Sequence, residues 1–377
     1  FGLSRIKAAD IIDKYNFEDR KLIEIVRCVV AETKVFVVDE TSTALSVDGR
    51  KILYDIIRRL AIAGKSVVFI SHDMDEILEQ CTSLTVLRDG NIIGTIEEEE
   101  LHNIKTESER NKLVEKIRFM MVGREIGNAY YRTDYDVSHS DEVALEFDNV
   151  SVGPIKNFSL KLHKGEILGF GGLSDCGMRL IGRAGFGLEK LSGGRVVRNG
   201  KVINNSITAI KSGIGYISKN RDTEALILSA DIAENIALPS YNEISKFTFI
   251  NPFIKAKMVN REVGNYQIKC KTTKQAVNTL SGGNKQKVSF AKWTAKDSDV
   301  IIMDCPTRGV DIGVKQAMYG IIADMKKSGK AIILISEELS ELIGMADKII
   351  VMKDHAISSE FMRSPDLKET DIIGTMI

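Results

Sequence analysis

The 377-residue chain is 44% hydrophobic and 28% charged, a balance that supports packed cores and excludes an intrinsically disordered polymer. Fifty-two basic residues meet fifty-two acidic ones, which excludes a global electrostatic pull toward nucleic acid or an anionic lipid surface. No apolar run approaches the ~20 residues of a membrane helix, and the five cysteines (28, 81, 176, 270, 305) contain no C-x-x-C pair, so they read as core thiols of a reducing compartment.

In chain order, the first apolar run is Val35-Phe36-Val37-Val38-Asp39-Glu40. Short and β-branched, it predicts a strand buried on both faces of a parallel sheet. Residues 49–63 read as a helix closed by Gly64, and Val68-Phe69-Ile70-Ser71-His72 reads as the next strand. Residues 96–142 break the pattern. They hold an acidic run at 97–100, a mixed-charge helix over about 107–119 and a polar, Tyr-containing tail, and are expected to form a solvated linker. Gly165-Glu166-Ile167-Leu168-Gly169-Phe170 resumes the strand pattern and runs into Gly172-Leu173-Ser174-Asp175-Cys176-Gly177-Met178-Arg179. After Leu280-Ser281-Gly282-Gly283-Asn284-Lys285-Gln286 comes a helical stretch, the strand ending in Asp304, a helix over 314–327 closed by Gly329, and strands reaching Glu337 and Asp354.

These elements repeat. Asp39 and Asp304, His72 and Glu337, Asp89 and Asp354 all stand 265 positions apart within matching apolar runs. The chain therefore holds two copies of one doubly wound α/β domain, in which ligands bind beyond the carboxyl ends of the strands. The expected division is 1–95 for the first copy, incomplete at its start, 96–142 for the linker and 143–377 for the second copy.

Ser281, Gly282 and Gly283 before a helix offer a hydroxyl and backbone N–H groups at a positive helix terminus, a receptor for phosphate. With the strand to Asp304 and the turn Pro306-Thr307-Arg308-Gly309-Val310-Asp311, this order of pieces resembles the ATP-binding-cassette ATPases, which have the P-loop NTPase fold. The stretch 280–285 resembles their signature, the strands to Asp39 and Asp304 their Walker B segments, Ser46 and Asp311 their D-loop positions, and His72 their switch histidine. The tandem layout, Met121-Val122-Gly123-Arg124 and the Asn284 that ends the signature resemble the subfamily that serves simple-sugar importers.

The resemblance implies ATP and Mg²⁺ as ligands. Asp39 is expected to hold the water shell of Mg²⁺ and Glu40 to orient the attacking water, a base worth about 10²–10⁴ in rate. His72 is expected to reach the γ-phosphate. Thr41 stands where the family has proline. The second copy departs further: aligned on Gly172 and Gly177, the P-loop lysine is Met178 and its Mg²⁺-binding hydroxyl is Arg179, while Asp175 brings negative charge. Cys305 replaces the catalytic glutamate and Glu337 the histidine, so this copy is expected not to hydrolyse ATP, with Gly172, Gly177 and Arg179 as remnants of a nucleotide site. The first copy's signature position reads Tyr15-Asn16-Phe17-Glu18-Asp19 and lacks Ser-Gly-Gly.

Cassettes of this family pair head to tail, which implies one competent site joining Asp39, Glu40 and His72 to Ser281–Asn284, and one degenerate site. No G-x-x-x-x-G-K-[ST] loop occurs in the chain, so these residues alone are expected to be inactive or nearly so. Residues 213–222 resemble the segment that meets a permease's coupling helix, and 226–270 the helical subdomain, with Trp293 as core. The resemblance further implies membrane permease partners, an extracellular solute-binding protein, a peripheral position on the cytoplasmic face of the membrane and no nucleic acid. Nucleoside cargo leaves every residue above unchanged. A soluble tandem-cassette factor acting on ribosomes or nucleic acid is disfavoured by the single intact signature and the mixed-charge linker, and a catalytically dead regulatory module by Asp39, Glu40 and His72.

Overall fold

The computed structural model describes residues 6–31, 33–71, 73–88, 90–103, 106–122, 130–173, 175–246 and 249–376. The chain divides into two compact units, 1–126 and 127–377. Among the described residues no helix is long and apolar enough to cross a membrane.

In the first unit, α1 (Phe17–Val30) starts at Asn16, whose side chain accepts from the Asp19 N–H at 2.8 Å. Strand β1 (Val35–Asp39) leads to α2 (Val47–Ile62), capped by Ser46, and β2 (Ser66–Ile70) returns parallel to β1. Helix α3 (Met74–Gln80), capped by Asp73, precedes the antiparallel pair β3 (Leu84–Arg88) and β4 (Asn91–Ile96). Helices α4 (Glu98–His102) and α5 (Glu107–Val122) follow. Leu22, Ile25, Phe36, Val38, Leu53 and Ile56 form one core.

The expectation that every parallel strand is buried on both faces fails here. Phe36 and Val38 are buried, but Val35, Val37, Val68 and Ile70 are 46–58% exposed. Among the described residues β1 and β2 pair only with each other, and the face that carries Val35, Val37, Val68 and Ile70 is open.

The stretch read as a solvated linker is also packed over much of its length. Helix α5 buries Leu113, Val114 and Ile117, and Arg88 Nη1 donates to the Met120 carbonyl at 2.9 Å. Residues 130–142 belong to the other unit. There Arg132 pairs with Asp347 at 2.7 Å, and Arg363 donates to the Arg132 carbonyl at 2.8 Å. The mixed charge of α5 covers its outer face and hid a buried apolar stripe.

In the second unit, β5 (Val143–Val152) and β6 (Ile155–His163) form a hairpin, β7 (Ile167–Gly172) enters the main sheet, and α6 (Met178–Gly185) crosses it. Strands β8 (Gly193–Arg198) and β9 (Lys201–Val202) complete an antiparallel sheet of order β6-β5-β8-β9. Then come α7 (Ser206–Lys211), β10 (Ile214–Ile217), α8 (Ile232–Ala237), α9 (Tyr241–Ile244), the short ribbon of β11 (Ser245–Lys246) and β12 (Phe249–Ile250), and α10 (Pro252–Asn265). The remainder is α11 (Gly282–Ala295), β13 (Val300–Asp304), α12 (Ile312–Lys327), β14 (Ala331–Ile335), α13 (Leu339–Met345), β15 (Lys348–Lys353), β16 (Ala356–Met362) and α14 (Glu369–Met376).

The main sheet has the order β10-β13-β14-β7-β15-β16, parallel except for the β16 edge. Strands β13 and β14 are buried at every position, as expected. Gly182 and Gly185 let α6 lie directly on them: a Cβ at Gly182 would stand 2.5 Å from Ile335 and one at Gly185 2.9 Å from Ile302. Trp293 is buried, with Phe186 edge-on to its ring at 5.6 Å, matching its reading as core.

The duplication extends beyond the matched strands. Helices α1 and α11, strands β1 and β13, helices α2 and α12, strands β2 and β14, and helices α3 and α13 each begin and end 265 positions apart. Two chain segments have folded through the same order of elements, with the same element lengths.

Candidate nucleotide site

Asp39 closes β1 and Glu40 follows in the left-handed region, with φ 46°, while its N–H donates to the Ile70 carbonyl at 2.9 Å. Cys305 after β13 has φ 47° and donates to Ile335 at 2.8 Å. This backbone region costs a non-glycine residue about 1–3 kcal/mol and persists where surrounding structure enforces it. The same pedestal thus presents a carboxylate in one copy and a thiol in the other. Asp39 and Glu40 are exposed, and their hard oxygen donors at a strand end suit Mg²⁺ and its water shell. His72 lies outside the described residues.

Behind each pedestal sits a buried carboxyl that the sequence reading missed. Glu76 Oε2 accepts from Ser42 Oγ at 2.8 Å and Ser71 Oγ at 2.9 Å, and its Oε1 accepts from Tyr54 OH at 2.5 Å. In the second copy Glu341 accepts from Thr307 Oγ1 at 2.7 Å and from Ser336, with the Tyr319 phenol beside it. Burial raises the Glu341 carboxyl above the ordinary range, against the lowering effect of its two hydroxyl donors. The 265-residue spacing of these acids and hydroxyls was the available signal. The cradle stands in both copies, whether a carboxylate or a thiol follows the strand, and ties the turn after one strand to the end of the next.

In the second unit the segment aligned with the phosphate loop leads from β7 into α6. A Cβ at Gly172 would stand 2.5 Å from the Met352 carbonyl, and Gly177, with φ 97°, starts α6. The Cys176 N–H closes the turn on the Leu173 carbonyl at 2.9 Å; Ser174 lies outside the described residues. Met178, in the lysine position, is fully buried in the core. Arg179 Nη2 pairs with Glu337 at 2.5 Å, and its Nε stands 3.5 Å from Asp304 Oδ1. Lys219 Nζ donates to both Glu337 oxygens at 3.1 Å, and Tyr216 OH donates to Asp304 Oδ2 at 3.3 Å. Burial pushes the Asp304 carboxyl up against the pull of Arg179 and Lys219, lowers the Lys219 ammonium, and raises the Cys305 thiol to about 12. A guanidinium therefore stands on the carboxylate that would hold Mg²⁺. The residues present do not fit that ion.

Ser281 is exposed at the N-cap of α11, Asn284 Nδ2 donates to Ser281 Oγ at 2.9 Å, and Asn284 Oδ1 accepts from the Lys269 N–H at 2.8 Å. Gly283 packs on α12, where a Cβ would meet Val314 at 3.0 Å. Gln286 Nε2 donates to the Pro306 carbonyl at 2.6 Å, holding this helix to the turn after β13. Lys285 pairs with Asp222 at 3.0 Å and Arg221 Nη1 donates to Gln286 at 3.4 Å, which draws the 221–225 turn to the signature. The first copy's equivalent differs: Glu18, in the position of Gly283, accepts from Ser46 Oγ at 2.6 Å. The structure thus gathers Gly172, Gly177, Arg179, Asp304 and Glu337 at one end of the sheet and Ser281–Asn284 at one helix terminus, while Asp39 and Glu40 stand on the other unit.

Comparison with known proteins agrees with this geometry. The ABC transporter family profile matches residues 155–308. The ribose import ATP-binding protein of Clostridium perfringens is 36% identical over 365 residues, covering 96% of this chain and 70% of that protein. The xylose import ATP-binding protein of Thermoanaerobacter pseudethanolicus is 36% identical over 353 residues, covering 91% and 67%. Among solved structures, a dimeric post-hydrolysis ATP-binding cassette bound to ADP and Pi matches with TM-score 0.52 at 19% identity, over 58% of this chain and 99% of that one. A nucleotide-free cassette from an ABC transporter matches with TM-score 0.54 at 18% identity, over 62% and 99%. These likenesses establish the cassette fold, and the identity to the import proteins establishes kinship: the chain belongs to the ATP-binding-cassette family of transporter ATPases.

Proposed function

We propose that the chain is part of the ATP-hydrolysing subunit of a sugar importer, with ribose- or xylose-type pentoses as the cargo class suggested by its relatives. It would act on the cytoplasmic face of the membrane with permease subunits and an extracellular solute-binding protein. Residues 1–95 are read as the first cassette and 143–377 as the second, with 96–142 connecting them.

The observation that carries this reading is the complementary loss of parts. The first copy keeps Asp39 and Glu40 but has Glu18 in its signature; the second keeps Ser281, Gly282 and Gly283 but has Cys305 on the pedestal. Paired head to tail, the intact parts meet in one composite site. There the α11 terminus, the Ser281 hydroxyl and Asn284 receive the γ-phosphate, Glu40 orients water for in-line attack, and His72 bonds the γ-phosphate oxygens. Mg²⁺ held through water by Asp39 would neutralise charge on the β- and γ-oxygens. Closure on ATP and parting after hydrolysis then shift the permease between its two states.

Two measurements test this. In a two-cassette subunit that includes a lysine-bearing phosphate loop before residue 1, Glu40→Gln should lower ATP turnover by about 10²-fold or more while sparing nucleotide binding. Cys305→Glu should change turnover less than about twofold, because Met178, Arg179 and Glu337 remain. A severalfold rise with Cys305→Glu contradicts the division of labour. Residues 1–377 alone should show little or no turnover, since none of them supplies the P-loop lysine.

A further inference from the structure

The cluster at the second copy's phosphate loop has a charge balance of its own. Two anions, Asp304 and Glu337, meet two cations, Arg179 and Lys219, and all four contacts fall within 3.5 Å. The Asp304 side chain is 5% exposed and that of Lys219 11%, whereas Arg179 and Glu337 are 29% and 35% exposed, so water screens the Asp304 end poorly and the Glu337 end more fully. Arg179 Nε and Asp304 Oδ1 face each other at 3.5 Å without a hydrogen bond. In a competent cassette, the Walker B aspartate faces a divalent cation and the two basic groups face phosphate oxygens. Here Arg179, in place of the P-loop hydroxyl, is the cation on Asp304. Glu337, in place of the histidine, is the anion on Arg179 and Lys219. Met178, where the phosphate-binding lysine belongs, is buried in the core.

A second observation comes from the other unit. The first copy's signature carries Glu18 and Asp19 in the first turn of α1, and Glu18 accepts from Ser46 Oγ and, at 3.3 Å, from the Ser46 N–H. The helix terminus proposed above to receive phosphate in the second copy has carboxylates in its first turn in the first copy. Each unit therefore carries anions of its own at the positions where the family resemblance implies phosphate contacts.

We infer that this site is charge-balanced without ligand, Arg179 standing for the divalent cation and Glu337 for a phosphate group, so that it excludes magnesium nucleotide. The Arg179 part rests on the second unit alone; the Glu18 part rests on the head-to-tail reading proposed above.

The test uses the full chain, Mn²⁺ as a paramagnetic substitute for Mg²⁺, and ATP. Wild type and Arg179→Lys, which keeps the cation, should bind Mn²⁺·ATP weakly. Arg179→Thr should bind it at least about tenfold more tightly, the worth of one charge-assisted contact, and the gain should vanish in Arg179→Thr/Asp304→Asn. Wild-type binding as tight as that of Arg179→Thr, or a gain that persists without Asp304, overturns the inference. Should Arg179→Thr not fold, Glu337→Gln in EDTA supplies the second readout. Freed Arg179 and Lys219 should bind metal-free ATP at least about fivefold more tightly than wild type, and unchanged affinity overturns the assignment of Glu337 as a phosphate substitute. Hydrolysis at Glu40 is read by turnover and involves none of these side chains, so either idea can fail without the other.

Discussion

Glu40 and Cys305 share a left-handed φ and differ in side chain, so the same backbone position presents a carboxylate in one copy and a thiol in the other. The cradle behind them offers a cleaner stability experiment. Glu341 is 1% exposed and its folded pKa is raised by burial, so its contribution is fully present below the ordinary glutamate pKa of ~4.3 and is lost as pH rises through the folded value. Glu341→Gln keeps acceptor and volume and should remove this loss, so wild type should be the less stable of the two at pH 7 relative to its standing at pH 4. Glu341→Ala strands Thr307 and Ser336 beside a cavity and should cost about 2–4 kcal/mol at either pH, measured by urea unfolding. Lys292 tests the opposite sign. Burial lowers its ammonium to about 8, while its Nζ donates to the Ala225 carbonyl at 3.0 Å and lies over Trp293. With the folded pKa below the unfolded one, the burial penalty is fully present below pH 8 and relieved toward pH 10.5. Lys292→Met should raise the melting temperature at pH 7, and the difference should shrink as pH rises to 10.

At the scale of elements, equal spacing places homologous strands in unequal surroundings. Val37 is 58% exposed on β1, whereas Ile302, 265 positions on, is fully buried on β13 between β10 and β14. Substitution by threonine at both positions makes an internal control. Val37→Thr should change unfolding free energy by less than about 0.5 kcal/mol, and Ile302→Thr should cost about 2–4 kcal/mol, since it buries a hydroxyl and removes packed methyl groups. Equal effects would show that the open face of β1 is covered in solution. The elements themselves were largely legible: β-branched runs marked β1, β2, β13 and β14, and Gly64 and Gly329 marked where α2 and α12 stop. Helix α5 was underestimated because three buried positions, Leu113, Val114 and Ile117, are outnumbered by charges on the same helix.

For the whole molecule, duplication is the organising fact. A chain that repeats α1–α3 as α11–α13, with both ends of each helix displaced by one constant, has conserved an architecture while letting two sites diverge. That separation of fold from chemistry is expected when core packing and catalysis rest on different residues. The departures fall on opposite halves of the sequence. In the subunit proposed above, substituting Glu40 should therefore abolish turnover, and restoring Glu at position 305 should not add to it.

Linear order was enough to reveal the repeat, the α/β class, the signature and the roster of replaced residues, because backbone periodicity and motif spacing are local properties written along the chain. Only the folded molecule decided what the replacements do to one another. Arg179 and Glu337 lie 158 positions apart, Lys219 and Glu337 118, and nothing in their separate neighbourhoods announces an ion-pair cluster. Their meeting depends on the β10-β13-β14-β7 order, which brings the segments after these strands to one end of the sheet.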